Sequence, residues 1–470
     1  MKKLFITLIS VAGILNAQTV QDINSVSAFS NDINSGSARY IGMGGSMGAL
    51  GGDISSIEQN PAGAAVAITS DVNVGIGFSS YNNKSTFGNT FKTDDNTIDF
   101  VNVGSVFVFN TDDAWNRFTI GVKYSSENFD NWLALGRNNN ITGTYQTNDD
   151  PIEYTTYKMA GYQDITEGYK TKLSMNFGAS YQDKLYLGLG FNFHETRFDN
   201  YVFFVEDTEG TVYRYDLNGT PYTSDATGFS FNAGVIGKVN DVLRLGLAYH
   251  SPVWYSNIEE NYFADLLFSD GNYYYDLYYS RYDRNSNSRL VASAGTVLGK
   301  SLALNADYTL HMNGSTKFKP SSDFHSTNQF MDKYLKSSSE LRLGAEYRID
   351  KFKVRAGYNF VQTPFDNITL NADIGTGSSS NMNFNDAFRG DINRFSFGAG
   401  YDFGGFYLDA AYQLQTQNYN YIFGNADYVD YDPADNAVYY ASIPLNTPNN
   451  FAAKVKNNRG LFLLTAGWQF

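Results

Sequence analysis

From Leu185 the chain alternates without a break: Leu185, Leu187, Leu189, Phe191 and Phe193 fall on one parity, and Tyr186, Gly188, Gly190, Asn192 and His194 on the other. A period of two over nine or ten residues predicts a β-strand with one apolar face, and that length suits a tilted strand crossing a bilayer. The signature recurs in fourteen segments: 71–81, 98–109, 117–128, 169–182, 185–196, 225–239, 242–251, 287–298, 301–312, 337–349, 352–362, 392–403, 406–421 and 459–470. Their apolar faces include Val72/Val74/Ile76/Phe78, Leu243/Leu245/Leu247/Tyr249 and Phe462/Leu464/Ala466/Trp468/Phe470. The opposite faces are polar or glycine, as in Lys172/Ser174/Asn176 and Arg342/Gly344/Glu346/Arg348.

The connections alternate between short and long. Short turns fall at 110–116, 183–184, 240–241, 299–300, 350–351 and 404–405, mostly with the two-residue composition of tight hairpins. Long loops are expected at 82–97, 129–168, 197–224, 252–286, 313–336, 363–391 and 422–458. Six short turns and seven long loops fit an all-β, 14-stranded antiparallel transmembrane β-barrel with both ends on one side of the membrane. Proline, which cannot donate to a ladder, agrees: of nine prolines, Pro61 precedes the first strand and the rest fall in long loops. A soluble propeller would show a blade repeat near 40 residues, and none is present.

Composition sharpens the picture. Aromatic residues make up 16% of the chain against 17% charged, which suits an apolar outer band with aromatic girdles. The seven loops hold 29 acidic and 15 basic residues, so their net charge equals the −14 of the whole chain. That acidity argues against nucleic acid as a partner. With no cysteine there is neither a disulfide framework nor thiol chemistry. Lys2 and Lys3, an apolar run over 4–15 and Asn16-Ala17 predict a signal peptide over 1–17, cleaved before Gln18.

Before the first strand lies a glycine-rich stretch over 37–63 that ends in Asn60-Pro61-Ala62-Gly63. It does not form a nucleotide cradle: a dinucleotide fingerprint built on Gly42 and Gly44 would need glycine where Met47 stands. The expected division is an N-terminal extension and plug (hatch) over 18–67 inside a barrel formed by 68–470. A plug of small residues closing on Asn60-Pro61-Ala62-Gly63 before fourteen strands, with LRLGLAYHSPVW over 243–254, resembles the FadL and TodX family of outer-membrane transporters for hydrophobic compounds. The resemblance implies a hatch that gates passive uptake of hydrophobic small molecules such as long-chain fatty acids, with release through a wall opening at a kink in the third strand. Over 117–128 only Gly121 offers a bend point.

Candidate chemistry follows from both lines. Trp254, Tyr255, Tyr262, Phe263, Leu266, Leu267 and Phe268 make the 252–286 loop a candidate capture surface, since large exposed apolar patches mark interaction sites. In the family the facing side is the loop after the fifth strand, here with Tyr201, Phe203 and Phe204. Parity points Arg244, Asp307, Arg342, Glu346, Arg348, Lys353, Arg355 and Arg394 into the lumen, with Arg244, Arg342 and Arg355 as candidate partners for a ligand carboxylate. His194, His250 and His311 share the inward parity near the outer ends of their strands, an arrangement compatible with haem. No metal or cofactor is expected and no catalytic constellation is present, so the chain is read as a non-enzyme and a monomer in the outer-membrane bilayer of a Gram-negative cell. The alternatives are a haem (hemin) receptor, or a type IX secretion shuttle barrel whose loops hold protein cargo.

Overall fold

The structure, a computed structural model, describes residues 26, 29–30, 34–128, 130–149, 152–216, 222–267, 273–373, 379–422, 428–432, 437–441 and 452–470. The expected signal peptide lies outside them. Each of the fourteen predicted segments is a barrel strand. In chain order these are β1 (Asp71–Phe87), β2 (Asn89–Asn110), β3 (Arg117–Asn128), β4 (Ile152–Tyr181), β5 (Leu185–Thr208), β6 (Tyr222–Lys238) and β7 (Leu243–His250). They continue as β8 (Ser288–Leu298), β9 (Leu302–Met312), β10 (Ser338–Ile349), β11 (Phe352–Val361), β12 (Ile392–Asp402), β13 (Phe406–Ile422) and β14 (Ala452–Gln469). Every strand pairs antiparallel with the next, and β14 returns to pair with β1 from Asp71↔Gln469 to Thr86↔Lys454.

The outer face is the apolar one. Leu464 is 47% exposed, whereas its neighbour Leu463 is fully buried, so alternation, not hydrophobicity alone, decides which leucine meets lipid. Short turns close one end, several on residues with positive φ such as Gln182, Asp183, Gly299 and Lys300, as tight hairpins require.

At the other end the structure corrects the expected loops. Residues 82–97 are not a loop: β1 and β2 stay paired until Phe87 faces Asn89 across Gly88 (φ +75°). β4 and β5 likewise run on as one ladder to Tyr157↔Thr208, and Trp254–Leu267 pairs with Tyr273–Asn285 as a further hairpin. The apolar face ends where the membrane ends, but backbone pairing continues in water. Polarity therefore marks the exit from the bilayer and not the end of a strand. These extensions, with a helix at His325–Tyr334 (labelled α2), fold over the barrel as a cap with its own apolar core, which includes Leu133, Phe198, Phe204, Tyr255, Phe318 and Phe365.

The N-terminal segment fills the lumen beneath the cap. It comprises α1 (Ala38–Gly42) and two 3-10 turns at Ile54–Glu58 and Pro61–Val66, nearly all buried. The polar approach to it is anchored by apolar side chains: Phe29 is fully buried, 5.0 Å edge-on from Tyr255 in the cap.

An arginine in place of Leu247, on the lipid face of β7, should lower stability by about 2–4 kcal/mol if it sits near the midplane. Denaturant titration in phospholipid vesicles measures this. A change below about 0.5 kcal/mol would mean that this face does not meet hydrocarbon.

Candidate functional site

The Asn60-Pro61-Ala62-Gly63 turn has a defined local role. Asn60 caps the 3-10 turn that follows, accepting from Ala62 N at 3.0 Å, and Pro61 occupies the first position, where its missing N–H is not needed. The same side chain donates to the carbonyl of Val235 on β6 at 3.1 Å. The wall is cut to receive it: a Cβ at Gly188 would collide with the Pro61–Ala62 peptide, and one at Gly234 with the Asn60 amide oxygen. A similar fit holds Gly44 (φ +66°) against Gly357.

Two buried charge clusters hold the plug. Glu58 pairs with Lys123 at 2.8 Å and with Lys172, while Arg289 donates to the Glu58 carbonyl at 2.7 Å. Burial pushes the Glu58 carboxyl up, but the two ammonium groups outweigh it and hold it well below the usual carboxylate range. At the other end of the plug Arg39 makes a bidentate pair with Glu346, both bonds at 2.9 Å; Arg355 bridges Glu346 and Asp409 at 2.6 and 2.7 Å. Asp307 accepts from Gly48 N at 3.2 Å, and Arg244 donates to the Leu50 carbonyl at 2.9 Å.

The three lumen arginines singled out from sequence thus sit in different places. Arg244 and Arg355 belong to the plug's fixings, while Arg342 pairs with Glu340 at 2.7 Å and lines an open cavity. The histidines are separately engaged: His194 with Ser230 at 2.8 Å, His250 with the Gln59 carbonyl at 3.1 Å, and His311 with Glu340 at 3.1 Å. Among the described residues no three His, Asp or Glu side chains gather as a metal-binding group.

Trp254 and Tyr255 do not share a surface. Because 254–267 is a strand, neighbours alternate: Trp254 stacks near Phe229 and Phe231 on the outer wall, and Tyr255 turns inward, 2% exposed, against Phe29. The side chains of Tyr262, Phe263, Leu266 and Leu267, and Phe268 entirely, lie outside the described residues. Of the facing loop's aromatics, Phe204 is buried in the cap. Gly121 is not a bend: β3 keeps an unshifted register with β2 over Asn102–Asn110 and with β4 over its full length, and a Cβ there would meet Ile54 of the plug at 2.8 Å. Glycine at 121 makes room for the hatch.

Between plug and cap lies a cavity of about 350 Å³. Its lining includes Glu127, Lys170, Glu340, Arg342, Arg394 and Arg459 together with Phe198, Tyr222 and Phe388. Sequence reasoning did not single out Glu58, Lys123, Glu340 or Arg459. Lys123 and Arg459 carry the inward parity that could have flagged them, but nothing in the sequence places the plug carboxylate Glu58 opposite two strand lysines.

The structure is thus a closed fourteen-strand barrel with an internal plug and a cavity between plug and cap. No protein-family model and no curated protein matches the chain. Among solved structures it is similar to a FadL homologue of Pseudomonas aeruginosa, at 15% identity and a TM-score of 0.55 over 93% of this chain and 99% of that one. It is also similar to the toluene transporters TodX of P. putida (12% identity, TM-score 0.57, 93% and 99% covered) and TbuX of Ralstonia pickettii (13%, 0.50, 93% and 99%). The chain has the FadL fold, as its plug and strand pattern implied.

Substituting Glu58→Gln leaves Lys123 and Lys172 buried without their counter-charge, a loss of about 3–5 kcal/mol. Recordings in planar bilayers should then show frequent open events against a quiet wild type; equally quiet traces would contradict this. The wild type has its own pH dependence. A depressed carboxyl pKa contributes fully above the unfolded value of about 4.3 and is lost as pH falls below it, so wild-type openings should rise only in strong acid.

Proposed function

We propose that the chain carries hydrophobic small molecules, long-chain fatty acids among them, passively across the outer membrane of a Gram-negative cell, after removal of residues 1–17. The observation that carries this reading is the cavity between plug and cap, with an apolar core in the cap on one side and a hydrogen-bonded hatch on the other. A solute that sheds its hydration on entering an apolar cap gains about 25 cal/mol per Å² of buried apolar surface, so the cap serves as the receiving layer. The named neighbours, a FadL homologue and two toluene transporters, support the same class of cargo.

In this reading the hatch is the gate. Unbroken pairing of β3 favours passage past the plug over exit at a third-strand kink. Asn60 would act as the hinge pin, because one side chain both caps its turn and fastens it to β6. Haem reception would require His194, His250 and His311 to give up the bonds they now make.

Oleate uptake by a deletion strain and its complemented counterpart tests the proposal. Slower uptake without the protein, with an amphiphile retained on the purified barrel in native mass spectrometry, is the expected result. Normal uptake and an empty barrel would overturn it; co-purifying secreted protein would point to a cargo shuttle, and a Soret shift with hemin to a haem receptor. Asn60→Ala removes a cap worth about 1 kcal/mol and should change the uptake rate about fivefold, whereas an unchanged rate would make the hatch mere filling.

A further inference from the structure

The cavity between plug and cap has two unlike parts. Along the ladder from β10 to β14, Arg342, Asn359, Arg394, Gln415 and Arg459 are successive cross-strand partners. This polar belt is answered largely from within: Arg342 pairs with Glu340 at 2.7 Å and Arg459 with Glu127 at 3.1 Å, while Arg394 donates to Gln415 Oε1 at 2.7 Å and to Asn359 Oδ1 at 2.6 Å. The apolar part of the lining includes Phe198, Tyr222 and Phe388, which belong to the cap's core or pack against it.

Phe388 is held unlike the other two. Among the described residues eight other than glycine have positive φ, and Phe388 (φ +65°) is the one among them with an apolar side chain. A bulky side chain in the left-handed region crowds its own backbone, so it persists only where the surroundings force it there. Here they act from two sides. Phe388 N–H donates to the Asn420 carbonyl at 3.0 Å, and Asn420 in turn donates from its N–H to the Asp386 carbonyl at 2.9 Å and from Nδ2 to the Asn385 carbonyl at 2.6 Å. Just beyond β11, Thr363 donates its N–H to Asp391 at 2.7 Å and its hydroxyl to the Arg389 carbonyl. At Gly390 the turn runs so close to β13 that a Cβ would overlap the Asn418 carbonyl oxygen. Residues 385–391 are thus pinned between β13 and the chain leaving β11, and the ring they carry cannot swing aside as one on a free loop would. Packing alone does not account for it. The ring centroid lies 6.0 Å from that of Phe365 in the cap core, yet Phe388 stays half-buried and lines the cavity. Glycine would meet the backbone's demand without strain.

We infer that Phe388 is a specificity-determining residue of the cavity: a fixed ring that, with Phe198 and Tyr222, admits slender apolar chains and turns away wide ones. The ring centroids of Phe198 and Tyr222 are 5.7 Å apart, so the lining it works with is itself packed. A lining that cannot relax round an oversize guest leaves the misfit as lost affinity. The inference rests on the uptake reading above and narrows its cargo by shape.

Calorimetry on the full chain in a nonionic detergent tests it with dodecanol and adamantylethanol, primary alcohols of equal carbon number, one slender and one globular. The wild type should bind dodecanol about tenfold more tightly. Phe388→Ala should cut that preference to about twofold, chiefly by gaining affinity for the globular alcohol, and Phe388→Tyr, which keeps a ring, should preserve it. Phe388→Gly should match Phe388→Ala in binding but melt at a higher temperature, because glycine alone is unstrained at this φ. Heat-modifiable gel mobility reports that each variant is folded. Equal affinity for the two alcohols in the wild type, a comparison that needs no variant, would overturn the filter and leave the uptake reading standing. An unchanged preference in Phe388→Ala would do the same. Melting of Phe388→Gly below Phe388→Ala would remove the strain and with it the fixed ring. Binding of neither alcohol would defeat both the filter and the uptake reading.

Discussion

Within hydrocarbon no backbone N–H or C=O can be left unpaired, and a sheet satisfies that constraint only by closing on itself. The pairing of β14 with β1 over sixteen consecutive positions, Asp71↔Gln469 to Thr86↔Lys454, is that closure. Everything else is a response to it. A ring of fourteen strands encloses a lumen, and the 34–67 segment fills it with a fold too short to have a core of its own. The plug borrows one: Ile41, Met43 and Met47 pack with Leu461 and Leu463 of the wall, and its charges are met by strand lysines, arginines and carboxylates. Wall glycines at 188, 234 and 357 record where the two backbones nearly touch.

The result is a cavity between two barriers. The cap closes it with apolar side chains and the hatch with ion pairs and backbone bonds, so the two barriers differ in kind. In the proposed route a solute dissolves through the first, and the second is displaced. The belt of arginines and amides sits between them.

How much of this was legible depended on period and register. Alternation placed all fourteen strands, because one apolar face against lipid leaves a period that composition cannot hide. It failed at the outer ends, as in 82–97, where the ladder outlasts the apolar face. Register was readable only across short turns. The tight connection between Ile349 and Phe352 fixes Arg342 opposite Asn359, and that between Asp402 and Phe406 fixes Arg394 opposite Gln415. The loops between β11 and β12, and between β13 and β14, leave their strands free to slide in any reading of sequence, so the five-residue belt could not be assembled. The same limit hid the Glu58 cluster, whose members come from the plug, β3, β4 and β8. The aromatic run at 254–255 misled for a simpler reason. Taken as a loop it forms one surface; as a strand it forms two.

Displacement of the hatch is the claim on which the proposed route depends, and the absence of native cysteine allows it to be tested directly. A Cβ at Gly295 on β8 would lie 3.2 Å from that of Ala49 in the plug, within reach of a disulfide after slight relaxation. The rate of dodecanoate uptake through the double variant Ala49→Cys/Gly295→Cys, oxidised and then reduced, is the deciding measurement. The account predicts uptake blocked by the crosslink and restored by reductant. Undiminished uptake with the crosslink fully formed would contradict it and place the route elsewhere in the wall.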